Sequence, residues 1–299
     1  MKKSGLVLAV LLAIALLVGV CSTASAEAAR EKIVVAVGQF ADNSGKNLGA
    51  SATDYVTNTF IQLKYFKVLE RSRIDQVMRE IAHQQTGFVN ESTAAKVGEQ
   101  LGAKAIVLGS VTAPRYSLEK QQCSDFDNKG NMIKVPCLVA NASVTLNVRM
   151  VNVETSEVFF SENLQGSTSE TYQGASQPAS ETSLLDKALQ SAAHQVYPHI
   201  QKAFPLVGTV LRKEGQWIWV DLGTDWGVGK GRGLIFYKEK GKEIRHPKTG
   251  EIVGYEREEI AADHVSEVME GMCKVKVQKK EAERIEVGDI VVAKPQIFY

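Results

Sequence analysis

The sequence predicts an α/β sandwich followed by a small all-β barrel or sandwich, and three observations carry that reading. Residues 33–112 alternate fully apolar runs with stretches whose apolar residues recur at helical spacing. Residues 139–153 alternate apolar and polar side chains one by one, as a strand with one buried face does. Beyond Pro205, short β-type runs are separated by glycine turns at fairly even intervals. With 299 residues, 44% hydrophobic and 23% charged, the chain has enough apolar surface for two modest domains.

Ile33-Val34-Val35-Ala36-Val37 reads as a strand buried on both faces and ending at Gly38. Residues 41–45 are loop chemistry, and Ala52, Tyr55, Val56, Thr59, Phe60 and Leu63 mark a helix over residues 48–63. A short strand over 66–69 follows. Ile74, Val77, Met78 and Ile81 then define one helix face, with Arg71, Arg73, Arg79 and Glu80 opposite. Residues 92–101 form a further helix, stopped by Gly102, and Ala105-Ile106-Val107-Leu108 is the third buried strand. In residues 139–153, Ala140, Ala142, Val144, Leu146, Val148 and Met150 share one face. Glu154-Thr155-Ser156-Glu157 turns the chain, and Val158-Phe159-Phe160 starts the return. Residues 167–183, rich in Ser, Thr, Gln and Gly, read as a linker before a helix built on Leu184, Leu185, Ala188, Leu189, Ala192, Val196 and Ile200.

The domain boundary falls near Pro205. The β runs beyond it cover 208–211, 217–222, 233–237, 252–255, 261–270, 273–277 and 289–293, with no convincing helix among them. Residues 27–204 and 205–299 are therefore the two expected domains.

The first residues carry an export signal. Lys2 and Lys3 precede an apolar run over 6–20, and Ala24-Ser25-Ala26 supplies a small-x-small cleavage site, so residues 1–26 read as a signal peptide. That run is short for a membrane-spanning helix, which takes about 20 residues. Cys21 leaves a second reading open, in which it is the lipid anchor of a processed lipoprotein; Val20 before it suits that processing poorly. The mature chain is nearly neutral, because 35 Lys and Arg face 34 Asp and Glu and residues 1–26 remove two lysines. Such a balance gives no field for a nucleic-acid partner.

In the oxidising space that export implies, Cys123 and Cys137 bracket Asp127-Asn128-Lys129-Gly130-Asn131, and a disulfide there would pin a hairpin for about 3 kcal/mol in the chain-entropy model. Two free thiols in an exposed loop are the alternative. Cys273, next to Met272 in a strand-like run, reads as a buried small apolar residue.

The first half resembles the CsgG family, the outer-membrane secretion components of curli fibres. The likeness rests on Val34-Val35-Ala36-Val37, Phe66-Lys67-Val68-Leu69-Glu70-Arg71, Leu108-Gly109-Ser110-Val111 and residues 144–153 with Thr155, Glu157 and Val158. The second half is similar to the C-terminal domain of flagellar assembly protein T, on Gly208-Thr209-Val210, Val220-Asp221-Leu222-Gly223, Gly227-Val228, residues 246–251 with Gly254, and Val287-Gly288-Asp289. In the curli channels each subunit lends two hairpins to a shared barrel, and a loop after the first strand lines a constriction. Here that loop, residues 41–49, has Asn43 and Asn47 and no aromatic side chain. Residues 113–138 stand as one remodelled hairpin insertion, with Glu119, Lys120, Asp125 and Lys129 ill suited to lipid.

The resemblance implies a non-catalytic secretion or assembly component of the cell envelope, working in the periplasm, with outer-membrane association as an option. It would act through protein contacts, as a homo-oligomer, without cofactor. A periplasmic flagellar or envelope scaffold that forms no pore is the second reading, and an envelope hydrolase the third. No catalytic or metal-ligating constellation supports the last. Gly227-Val228-Gly229-Lys230-Gly231 lacks the Lys-Ser or Lys-Thr ending of a phosphate loop, and His194 and His199 stand five apart, off a common helix face. His83, His246 and His264 fall in separate elements. Trp217 and Trp219 share one face of a strand, which suits stacking against a sugar or a protein, although barrel core is the commoner fate of such a pair.

Overall fold

Strand β1 (Ile33–Val37) is apolar on both faces because it is central: it runs parallel to β3 (Phe66–Val68) on one side and to β4 (Ala105–Phe126) on the other. The computed structural model describes residues 31–70, 72, 74, 91–174, 176–245, 247–248 and 252–295. Strand β2 (Ala41–Asp42) adds two residues alongside β4, which then pairs antiparallel with β5 (Met132–Asn152), and β5 with β6 (Val158–Gln173). The resulting mixed sheet has the order β3-β1-β4-β5-β6.

Helices cover both faces, as the alternation of elements requires. Helix α1 (Gly49–Leu63) buries Ala52, Val56, Phe60 and Leu63, and α3 (Glu181–Ala203) buries Leu185, Leu189, Ala192, Val196 and Ile200; both pack against Val107, Val144, Leu146 and Val148 in one core. Ser180 caps α3 by accepting the Ser183 amide at 3.2 Å. Helix α2 (Glu91–Leu101) lies on the other face, where Val97 and Leu101 meet Ala36, Ile106 and Val151. The helix expected on Ile74, Val77, Met78 and Ile81 lies outside the described residues apart from positions 72 and 74, and Ile74 is buried. The export segment 1–26 and Cys21 lie outside them as well.

The second half is a closed barrel of six antiparallel strands in the order β10-β11-β8-β7-β12-β9. These are β7 (Val207–Glu214), β8 (Trp217–Val220), β9 (Gly233–Arg245), β10 (Ile252–Val268), β11 (Cys273–Lys276) and β12 (Ile290–Ala293). Val210, Ile218, Val220, Phe236, Val265, Val275 and Val291 fill its interior, and Cys273 is fully buried among them. The core of the α/β layer continues into the barrel without a break, through Leu206, Leu222 and Val228.

Three local readings change. Residues 167–173 are not linker but the second half of β6, in register with β5 from Ser143↔Ser167 to Cys137↔Gln173. Hydroxyl-rich sequence is neutral between loop and strand, and here the partner strand settles it. The runs at 252–255 and 261–270 are one strand, β10, interrupted by register shifts opposite β9. A six-residue helix, α4 (Lys279–Arg284), sits between β11 and β12, started by a capping box of Gln278 and Glu281. Over residues 113–138 β4 and β5 run on past the body of the sheet as a hairpin, with a register shift between Thr112 and Arg115 where Ala113 adopts a positive φ of 50°.

Candidate functional site

The projecting arm is the outstanding surface feature. Strands β4 and β5 stay paired from Ala105↔Asn152 to Phe126↔Met132, whereas β6 stops at Cys137↔Gln173. The five residue pairs beyond it extend about 17 Å as a bare two-stranded ribbon. Its turn is tightly organised: Asp127 accepts the Lys129 amide at 2.8 Å, the Asn131 amide at 2.9 Å and the Asn131 side chain at 3.0 Å. The Asn131 side chain above all, then the two amides, hold the Asp127 carboxyl below the usual carboxylate range. Cys123 and Cys137 are joined at the root of the ribbon, Cα atoms 5.8 Å apart, in the diagonal positions of an antiparallel pair.

Apolar side chains collect at the end. Phe126 and Met132, direct cross-strand partners, are 67% and 68% exposed, and Ile133 is exposed on the opposite face of the ribbon. These three were not picked out from the sequence; the available signal was large apolar residues flanking a strong turn. Between tip and body, Lys120, Gln122 and Lys134 occupy one face and Glu119, Gln121 and Asp125 the other.

The ribbon leaves two free edges. Among the described residues β4 beyond Val111 pairs only with β5, and no strand pairs with the outer edge of β6. Gln195 of α3 reaches over to the Gln165 carbonyl at 2.9 Å, blunting the middle of that second edge. The face of β4–β6 away from α3 carries cross-strand rows of polar side chains, Ser117–Asn141–Ser169, Arg115–Ser143–Ser167 and Ser110–Asn147–Asn163. A shallow groove of about 550 Å³ lies there, and another of about 740 Å³ beside Cys137 and Tyr172. Hydroxyls and amides line them together with Arg115 in the first and Lys120 in the second, and neither lining includes a carboxylate or an imidazole.

Trp217 and Trp219 are not barrel core. Ile218 and Val220 take the inward positions of β8, and the two indoles lie half-buried on the outer wall. The alternation of one strand cannot tell inside from outside when both sets are apolar; closure of the barrel decides it. Lys274 of β11 sits between the rings, its Nζ 4.1 Å from the Trp217 centroid and 5.3 Å from that of Trp219, while Arg212 of β7 lies 5.4 Å from Trp219. The rings are thus engaged by the protein's own cations.

A third cluster joins the two halves. Arg232, 6% exposed, donates to Gln201 of α3 at 3.1 Å and lies against Tyr197 and Tyr65. Burial pulls the Arg232 guanidinium below its ordinary pKa and pushes the Tyr65 phenol up. The remaining candidates stay apart: His199 pairs with Glu162 at 3.1 Å on the surface, His264 lies exposed beside Asp263, and the loop of Asn43 and Asn47 is organised by Asp42, which accepts the Ser44 and Leu48 amides. His83 and His246 lie outside the described residues. Among the described residues no group of three potential metal ligands converges.

Residues 17–203 match the family model described as curli production assembly/transport component CsgG. Solved structures similar to the chain include the LpoB C-terminal domain from Escherichia coli, 16% identical, covering 46% of this chain and 84% of that one at a TM-score of 0.31. The PelC dodecamer from Paraburkholderia phytofirmans is 16% identical over 55% and 89%, with a TM-score of 0.25, and lipoprotein GNA1162 from Neisseria meningitidis is 12% identical over 55% and 97%, with a TM-score of 0.33. No curated protein matches the chain.

Proposed function

Since the chain belongs to the CsgG family of curli production assembly/transport components, we propose that it is a non-catalytic envelope component that assembles with copies of itself. The observation that carries this is the pair of sheet edges, on β4 beyond Val111 and on β6, that pair with no further strand among the described residues. A long strand edge exposes a row of backbone donors and acceptors that another strand satisfies. Export through residues 1–26 places the work in the periplasm, at or near the outer membrane, and the boundary at Pro205 divides an assembly half, 27–204, from a docking half, 205–299. The flagellar assembly protein T likeness of the docking half belongs to the same reading.

One observation favours the variant without a pore. Up to Cys137↔Gln173 the extension of the sheet has three strands, so β4 and β6 run in the same direction there. Copies related by rotation about an axis along the strands would meet edge to edge in parallel, whereas membrane barrels are built antiparallel. The charge on both faces of the ribbon, lysines on one and carboxylates on the other, points the same way. Electron microscopy of the natively processed protein, gently extracted and separated by size, tests the proposal. Closed rings or other regular assemblies are expected; a detergent belt around them would restore the pore, and a monomer at all concentrations would overturn self-assembly.

A further inference from the structure

The two faces of the arm carry opposite charge. On one, residues 118–126 and 132–138 place Lys120 and Lys134 and no carboxylate; on the other they place Glu119 and Asp125 and no ammonium group. Each face also exposes apolar side chains, Phe126 and Met132 beside the lysines and Ile133 beside the carboxylates. Lys134 stands across from Ser124, whose hydroxyl its Nζ meets at 2.9 Å, and Asp125 is the next residue along β4. The two opposite charges therefore lie at nearly the same height on opposite faces. A second ribbon laid on the first in the same direction, about 10 Å away as sheets stack, sets Lys134 of one against Asp125 of the other and Phe126 and Met132 against Ile133. Turning like faces together sets lysine against lysine, which repels. The arm thus complements a displaced copy of itself and not a copy related by a two-fold axis. A lipid occupant would have to take up Asp125 and the Asp127 turn as well, and a foreign protein would match one face and leave the other.

We propose that the arm of one copy packs face to face on the arm of the next, the Lys134 face with Phe126 and Met132 against the Asp125 face with Ile133 and Val135. The proposal rests on the self-assembly reading above and adds to its edge contacts a second contact, beyond Gln173 where β6 has stopped. There the ribbons of edge-paired neighbours are left a strand's width apart, and the strong twist of a two-stranded ribbon turns one face toward the next. The contact is head to tail, so it propagates into rings or rows and closes no simple pair. The disulfide at the root and the Asp127 turn hold the arm in shape beforehand, so stacking costs little ordering.

The test uses the natively processed protein and reads assembly size against concentration by mass photometry. Lys120→Glu/Lys134→Glu makes both faces acidic, and Glu119→Lys/Asp125→Lys makes both basic. Each variant alone should need at least about tenfold more protein to assemble than the parent, since like charges then meet. An equal mixture of the two should assemble as the parent does, because acidic and basic arms alternate along it. Neither a misfolded variant nor a contact elsewhere gives that restoration. In a mixture of isotopically light and heavy parent, carbodiimide should join Lys134 of one copy to Asp125 of another. Assembly of both variants at the parent's concentration would overturn the arm contact and leave the edge contacts standing. Variants that stay apart when mixed, carbodiimide in whole envelopes joining Lys134 to a different protein, or an assembly that disperses onto added lipid vesicles would each overturn it as well. A parent that stays monomeric at all concentrations would remove the self-assembly reading itself, and this proposal with it.

Discussion

Arg232, at the entry to β9, donates from Nη2 to Gln201 Oε1 in the last turn of α3 across 3.1 Å, and so a buried charge of the barrel is held by a neutral side chain of the α/β layer. Charges taken out of water are tolerated only when their donors are occupied. The pair therefore fixes how the two halves meet, together with Lys64 Nζ on the Thr224 carbonyl at 3.3 Å.

Gln201→Ala leaves the guanidinium short of an acceptor inside the protein, and a loss of about 2–3 kcal/mol is expected. Arg232→Met, which removes the charge and keeps the volume, should cost less. Urea unfolding of both variants checks the order; a larger loss for Arg232→Met would mean that the arginine is engaged mainly elsewhere.

Gly166 sits in β6 where α3 crosses it. A Cβ there would overlap the Ala188 carbonyl oxygen and the Ala192 amide nitrogen, both backbone. Nothing flexible can yield, so Gly166→Val should push α3 off the sheet and cost about 3 kcal/mol or more. Thermal unfolding reads the loss, and a variant within about 1 kcal/mol of the parent would show that the helix can shift.

Burial first, with a smaller contribution from Asp221, pushes the Cys273 thiol up to about 12. The native chain then keeps a proton that the unfolded chain gives up near the ordinary thiol range. Stability is unaffected below that range and falls as pH rises through it toward about 12. Iodoacetamide at pH 8 should leave the native protein unmodified and label Cys273 once the chain is unfolded in urea. Fast labelling of the native protein would contradict the burial.

Cys123→Ser/Cys137→Ser frees the root of the arm. Proteolysis within residues 113–138 should become several-fold faster under oxidising conditions while the barrel stays resistant, because the loop entropy that the bond removes, worth about 3 kcal/mol, returns to the opened arm. Equal cleavage rates would show that strand pairing alone holds the ribbon.

At acid pH the Asp127 turn should loosen. Its carboxyl is held below the usual range, so its contribution is present above the unfolded carboxylate pKa and lost as pH falls through the lowered value. Faster amide exchange at Lys129 and Asn131 than at Ser124, once corrected for intrinsic rates, is the expected signature.

Most of the architecture is legible in local pattern. Val34 to Val37 announces a central strand, Ala52, Val56 and Phe60 a helix face, and Ala140 to Met150 a one-sided strand, since each period is imposed by backbone geometry. Residues 167–173 escape that reading because Ser, Thr and Gln become strand only when β5 supplies the hydrogen bonds. The Trp pair escapes it for another reason: with Trp217, Ile218, Trp219 and Val220 all apolar, period two marks two faces without ranking them.

The sequence by itself determined most of the elements, the α/β layer followed by a β domain, and the family, all of which follow from which side chains shun water and at what spacing. Tertiary structure alone decided that β4 and β5 outrun the sheet and end in Phe126 and Met132, that the indoles face outward onto Lys274, and that Arg232 meets Gln201. Those relationships join residues from 6 to 57 positions apart. Their partners are chosen by strand register and barrel closure, which depend on the whole chain.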